Sequence, residues 1–172
     1  MDKQTKTVSN PILRCISDGA NLFFSACDGS ETLADAGDVF KSGIDSDFKN
    51  WGLSKPIKPT IKTPAEVYEL TKNADFKTMF TFLSTDWEKL CVTGHQVKIF
   101  CKENADWLRA DGFGTFFLTK KNWKNPAIIG NLFVAGVRMD SYGLIVHVFR
   151  LEYDTLWFAD DRPRLVVPQL VA

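Results

Sequence analysis

The sequence predicts an α+β fold: an N-terminal β-hairpin and short helix, followed by a helical layer packed on a C-terminal antiparallel meander of about four strands. Three observations predict it. Two apolar runs of strand length open the chain, helix-period spacing with capping signals fills the middle, and the period drops to two after Gly114.

Residues 12–17 (ILRCIS) and 21–27 (NLFFSAC) are the two opening runs. Asp18, Gly19 and Ala20 separate them, a hairpin spacing with turn-forming residues. Leu33, Ala36, Val39 and Phe40 then recur at helical steps behind Ser30 as a candidate cap, so a short amphipathic helix follows, weakened by Gly37. GLSKPIKPTIK carries two prolines and three lysines without an apolar face and reads as a linker. The expected division is therefore a small hairpin and helix unit over 1–54, a Lys/Pro linker over 55–62, and an α+β domain over 63–172.

Thr63, Pro64, Ala65 and Glu66 form a capping box with proline at the first helical position, which predicts a helix start there, with Val67 and Leu70 on its inner face. Phe76, Met79, Phe80 and Leu83 define a second helix by their three- and four-residue steps. Thr85 with Glu88 caps a single turn. Thr93 with Gln96 caps a longer helix whose stripe runs through Val97, Phe100, Cys101 and Leu108 until Gly112 and Gly114 end it. GTFFLTK, NLFVAGVRM, LIVHVFRLEY and RLVVPQ supply the meander, with Ser141, Tyr142 and Gly143 as a tight turn.

Composition narrows the function classes. Hydrophobic residues at 45% and charged residues at 24% describe a chain that folds. Lys plus Arg equals Asp plus Glu at 21 each, so any attraction to nucleic acid, anionic membrane or acidic substrate must be local. The polar start and the lack of a long apolar run predict a cytoplasmic protein without a membrane span. Cys15, Cys27, Cys91 and Cys101 sit in apolar surroundings and read as reduced, buried thiols.

No phosphate-binding glycine loop, nucleophile elbow, HExxH or paired CxxC occurs, and no cofactor or metal is expected. Cys91, His95 and Cys101 offer a thiol and an imidazole, but Cys101 belongs to a buried stripe and His95 reads as a surface residue of the first helical turn. Asp45 and Asp47, with Asp38 and Lys49 nearby, could hold a hard cation through carboxylate oxygens; aspartates also begin turns and cap helices. His147 would serve as a general base if Glu152 or Asp154 oriented it. Asp160, Asp161, Arg162 and Arg164 read as a locally paired turn.

The surface feature with most chemical content is Lys120, Lys121, Trp123 and Lys124, a basic loop with an indole at its centre. Lysines meet phosphates and indoles stack on bases, the combination that holds single-stranded nucleic acid. Lys55, Lys58 and Lys62 extend this patch if the linker folds alongside it.

The expected function is a non-catalytic binding or interaction module, its partner either single-stranded nucleic acid through that loop or a protein through Trp51 and Trp157. Two alternatives stand beside it: a small metal-dependent or acid–base enzyme using Asp45 and Asp47 or His147, and an assembly protein pairing through the N-terminal hairpin.

Overall fold

The computed structural model describes residues 11–170. Eight strands in that span build one mixed sheet: β1 (Leu13–Cys15), β2 (Phe23–Phe24), β3 (Gly43–Ile44), β4 (Thr63–Leu70), β5 (Thr115–Lys120), β6 (Leu132–Asp140), β7 (Gly143–Arg150) and β8 (Arg164–Pro168). Their order is β1-β4-β8-β5-β6-β7-β3, with β2 also paired to β4.

This overturns the expected helical layer on a C-terminal meander. The antiparallel succession covers only β5, β6 and β7. β8 then crosses back and inserts between β4 and β5, antiparallel to the first and parallel to the second. β3 adds to β7 in parallel, so strands from both sides of residues 55–62 share one sheet.

The predicted helix at Thr63 is strand β4. Its side chains alternate, with Ala65 and Val67 buried in one core while Glu66 and Tyr68 share the other face and join by a 2.6 Å hydrogen bond. The Thr63 hydroxyl donates to the Ile61 carbonyl and makes no cap. Five residue pairs with β8 and the pairings with β1 and β2 occupy both edges of β4, and this tertiary pairing overrides a local capping signal.

The N-terminal hairpin is also corrected. β1 and β2 lie end to end along β4: Cys15 faces Tyr68, and Phe23 faces Pro64. Between them the chain bulges. Ala20 N–H donates to Ser17 C=O and Gly19 takes φ +76°, while the Ser17 hydroxyl accepts the Val67 N–H at 2.8 Å and Leu22 C=O accepts the Ala65 N–H at 3.0 Å. The turn residues kink an edge strand without reversing it.

Both faces of the sheet are covered. On one, Phe117, Ala135, Val137, Val148 and Val166 meet Phe24, Phe40, Phe48 and Phe100. On the other, Phe116, Leu118, Val134, Leu165 and Val167 meet Phe76, Met79 and Phe80. Two-sided burial explains why β5 and β6 read as continuous apolar runs.

The helices are α1 (Asp47–Asn50), α2 (Phe76–Leu83) and α3 (Gly94–Glu103). α2 follows the expected Phe76, Met79, Phe80 stripe and is capped by Asp75, which accepts the Thr78 N–H. The Thr93–Gln96 capping box forms in both directions at the start of α3. The helix expected behind Ser30 shrinks to one 3-10 turn at Leu33–Asp35. The turn expected at Thr85 is a 3-10 turn at Trp87–Leu90, capped by Asp86.

Candidate binding cleft

Five lysines drawn from two distant parts of the chain line one cavity of about 690 Å3. Lys55 and Lys58 come from residues 55–62; Lys120, Lys121 and Lys124 come from the end of β5 and the loop after it. Glu31, Gly94 at the first position of α3, and Trp123 complete its principal walls. The volume lies within the range of small-ligand sites, about 300–1,000 Å3.

Two local structures hold the lysines in place. The 55–62 segment is fastened across the body: Ile57 N–H donates to Gly29 C=O at 2.9 Å, and Cys27 and Thr60 exchange backbone hydrogen bonds at 3.0 and 2.8 Å. The loop after β5 is organised by the buried Asn131. Its Oδ1 accepts the Asn122 N–H at 2.8 Å, and its Nδ2 donates to the carbonyls of Asn122 and Pro126 at 2.9 Å each. Both basic segments are therefore presented with a fixed backbone, which lowers the ordering cost of binding.

The four residues expected to form the basic loop divide into different roles. Lys121 and Lys124 are exposed at the cleft, and the Lys121 side chain lies against Gly52. Lys120 is only 3% exposed; its ammonium donates to Glu88 Oε1 at 2.7 Å and to Asn125 C=O at 3.0 Å, so its charge is already neutralised. Trp123 is half-buried against the α2 side of the sheet, with the Lys120 ammonium 5.0 Å and the Lys58 ammonium 5.5 Å from its ring centroid. The indole carries cations on its π system and is not an open stacking platform. Its buried N–H has no acceptor among the described residues.

Residues beside the cleft form a charged network that sequence reasoning missed. His95, expected at the surface, is 7% exposed. Its Nδ1 accepts the Gly29 N–H at 3.2 Å, which places the ring proton on Nε2, 2.7 Å from Glu31 Oε2. The other Glu31 oxygen accepts from Lys98 at 2.7 Å, and Lys98, itself 5% exposed, also pairs with Asp38 at 3.0 Å. The hydrogen bond from Lys98 holds the Glu31 carboxyl below its ordinary value, so it stays an anion at neutral pH.

The remaining candidates are dispersed. Cys91 and Cys101 lie in the two different cores, on opposite sides of the sheet. Burial pushes the Cys91 thiol up to about 12 and raises the Cys101 thiol further, so neither supplies a thiolate at neutral pH. Asp45 spends its two oxygens on the N–H groups of Asp47 and Val148, and Asp47 accepts from the Asn50 side chain. Among the described residues no three His, Cys, Asp or Glu side chains gather to hold a metal.

His147 lies partly exposed, with Arg138 2.9 Å from its Nε2 and Asp45 3.9 Å from its Nδ1. The carboxylate beside it is thus Asp45, whereas Glu152 and Asp154 are exposed. Burial and the Arg138 cation hold this imidazole below its usual value. Trp51 is half-buried against Phe133 with Arg150 4.6 Å over its ring, and Trp157 packs with Phe76 and Phe116. Both indoles expected as an interface are engaged within the chain.

No helix among the described residues is long and apolar enough to cross a membrane. No protein-family model matches the chain, and no curated protein and no solved structure is similar to it.

Proposed function

We propose that the chain is a non-catalytic binding module that takes the phosphates of single-stranded nucleic acid in the lysine-lined cleft. The observation that carries this reading is convergence. In a chain of zero net charge, Lys55 and Lys58 meet Lys121 and Lys124 around one cavity, and none of the four has an ion pair among the described residues. Lys58 rests over the Trp123 ring without a counter-charge, and such like charges held on a fixed backbone repel one another, so an anion that fills the space between them relieves that repulsion.

Binding of this kind belongs with the cytoplasmic location expected from the sequence. Phosphate contacts release counterions, so affinity falls with salt by a slope of roughly −0.7 per contact for a single strand. Four lysines give a slope approaching about −3.

The test is fluorescence anisotropy of a labelled single-stranded oligonucleotide, titrated at several salt concentrations, for the wild type and for a variant with Lys58, Lys121 and Lys124 changed to Ala. The expected result is salt-dependent binding whose slope falls by about 2 in the variant. A wild type that fails to bind at low salt, or a variant that binds as well, rejects the reading.

A further inference from the structure

Among the described residues, Glu31 is the one carboxylate on the wall of a cleft otherwise charged by lysines. A site serving phosphates alone gains nothing from a fixed anion, which repels them and offsets part of the lysines' attraction. This carboxylate is nevertheless held firmly, by His95 Nε2 at 2.7 Å on one oxygen and by Lys98 at 2.7 Å on the other, and its side chain remains 45% exposed. Each oxygen of a carboxylate has two acceptor positions. The two protein donors therefore leave one position on each oxygen, available to a ligand that donates hydrogen bonds.

We propose that Glu31 reads a ribose hydroxyl, so that the cleft takes ribonucleic acid in preference to deoxyribonucleic acid of the same sequence. This rests on the cleft reading given above. The lysines hold the phosphates while the carboxylate accepts from the 2′-hydroxyl, the group by which proteins distinguish the two nucleic acids. An acidic side chain bonded to ribose beside a phosphate site is a recurring solution in nucleotide recognition. The buried partners matter to this role. Lys98 and His95 are 5% and 7% exposed, and they fix the carboxylate so that it neither swings onto a cleft lysine nor needs reordering when ligand enters.

The experiment compares oligoribonucleotide, oligodeoxyribonucleotide and 2′-O-methyl oligonucleotide of one base sequence by competition against a labelled single strand. The ribo form is expected to bind roughly tenfold or more tightly, the factor supplied by a hydrogen bond to a charged acceptor. The 2′-O-methyl form retains the oxygen but not the donor, and it should bind like the deoxy form. This arm leaves the protein unaltered, so it does not depend on a variant folding. Glu31→Ala, which removes both acceptor oxygens, should bring the ribo and deoxy affinities together. Equal wild-type affinities for the ribo and deoxy strands overturn the inference and leave the cleft reading standing. A ribo preference that survives in Glu31→Ala overturns the assignment to Glu31. Failure of every oligonucleotide to bind at low salt overturns the cleft reading, and this inference with it.

Discussion

Replacing Gly29 by Ala should destabilise the fold and disable the cleft together. Gly29 takes φ +83°, and a Cβ there would lie 2.2 Å from the Ile57 carbonyl oxygen and 2.5 Å from that of Lys58. Two costs add. The left-handed conformation costs an L-residue about 1–2 kcal/mol, and overpacking against backbone costs about 1–3 kcal/mol, for a total of about 2–5 kcal/mol. Against a domain stability of about 5–15 kcal/mol this is a large fraction. In urea it corresponds to a midpoint shift of roughly 1 M or more.

The same substitution lifts residues 57–58 off the body, because the Ile57 N–H loses its acceptor at Gly29. Lys55 and Lys58 then leave the cleft, and the salt slope of oligonucleotide binding should fall by about 1.4. Urea denaturation followed by tryptophan fluorescence measures the first effect, and anisotropy at varied salt the second. A Gly29→Ala protein with an unchanged midpoint refutes the close approach; one that is destabilised yet keeps its full salt slope refutes the role of the 55–58 segment in presenting charge.

Glu88→Ala should cost about 1–3 kcal/mol by leaving the buried Lys120 ammonium with only the Asn125 carbonyl, whereas Lys120→Met, which removes the buried charge itself, should cost less; equal losses in urea unfolding would contradict this account of the pair. The imidazole of His147 should titrate below 6.5 by NMR, since burial first and Arg138 second disfavour its cation, and Arg138→Gln should move that titration upward. The sign follows for stability: above 6.5 the contribution is whole, and it is lost as pH falls from there toward the depressed folded value, where the unfolded chain takes up the proton and the folded one does not. Cys91 and Cys101 should resist iodoacetamide at pH 8 in the folded protein and react after denaturation; rapid alkylation of either in the native state would contradict their raised pKa values.

Signals that act within one turn or one strand were legible. Phe76, Met79 and Phe80 mark α2 by spacing, and Thr93 with Gln96 marks the start of α3, because helix stripes and caps are local physics. Thr63 to Glu66 shows the limit: the same residues serve a strand when neighbouring strands claim both edges, and no local pattern records that β1, β2 and β8 arrive there. The bulge at Asp18 to Asn21 resembled a reversal because kinks and hairpins use the same turn chemistry. Lys120 was misplaced among surface cations although alternation pointed inward, since it shares the face of Phe116 and Leu118. The cleft was legible only as a condition, that Lys55, Lys58 and Lys62 extend the basic loop if residues 55–62 fold alongside it; Lys55 and Lys58 do line the cleft while Lys62 lies over Phe23, and the prolines of the segment leave no periodic trace from which its course could be read. His95 gave no signal of burial, since its partners Asp28 and Glu31 lie more than sixty residues earlier in the chain.

The placement of β8 has a consequence for how the protein is made. This strand, the last of the described sheet, stands between β4 and β5, so the two halves of the sheet are joined only through a segment synthesised after both. Until the chain is made past Pro168, β4 and the Thr115–Phe116 end of β5 each present an unpaired edge flanked by apolar residues such as Val67, Phe116 and Phe117, the kind of surface that recruits other chains. Closure must then bring Arg164 and Leu165 into a slot between partners about fifty and a hundred residues upstream, a pairing whose loop entropy slows folding. A stalled or clipped product ending before Arg164 would leave two half-sheets with open edges of the kind that aggregate.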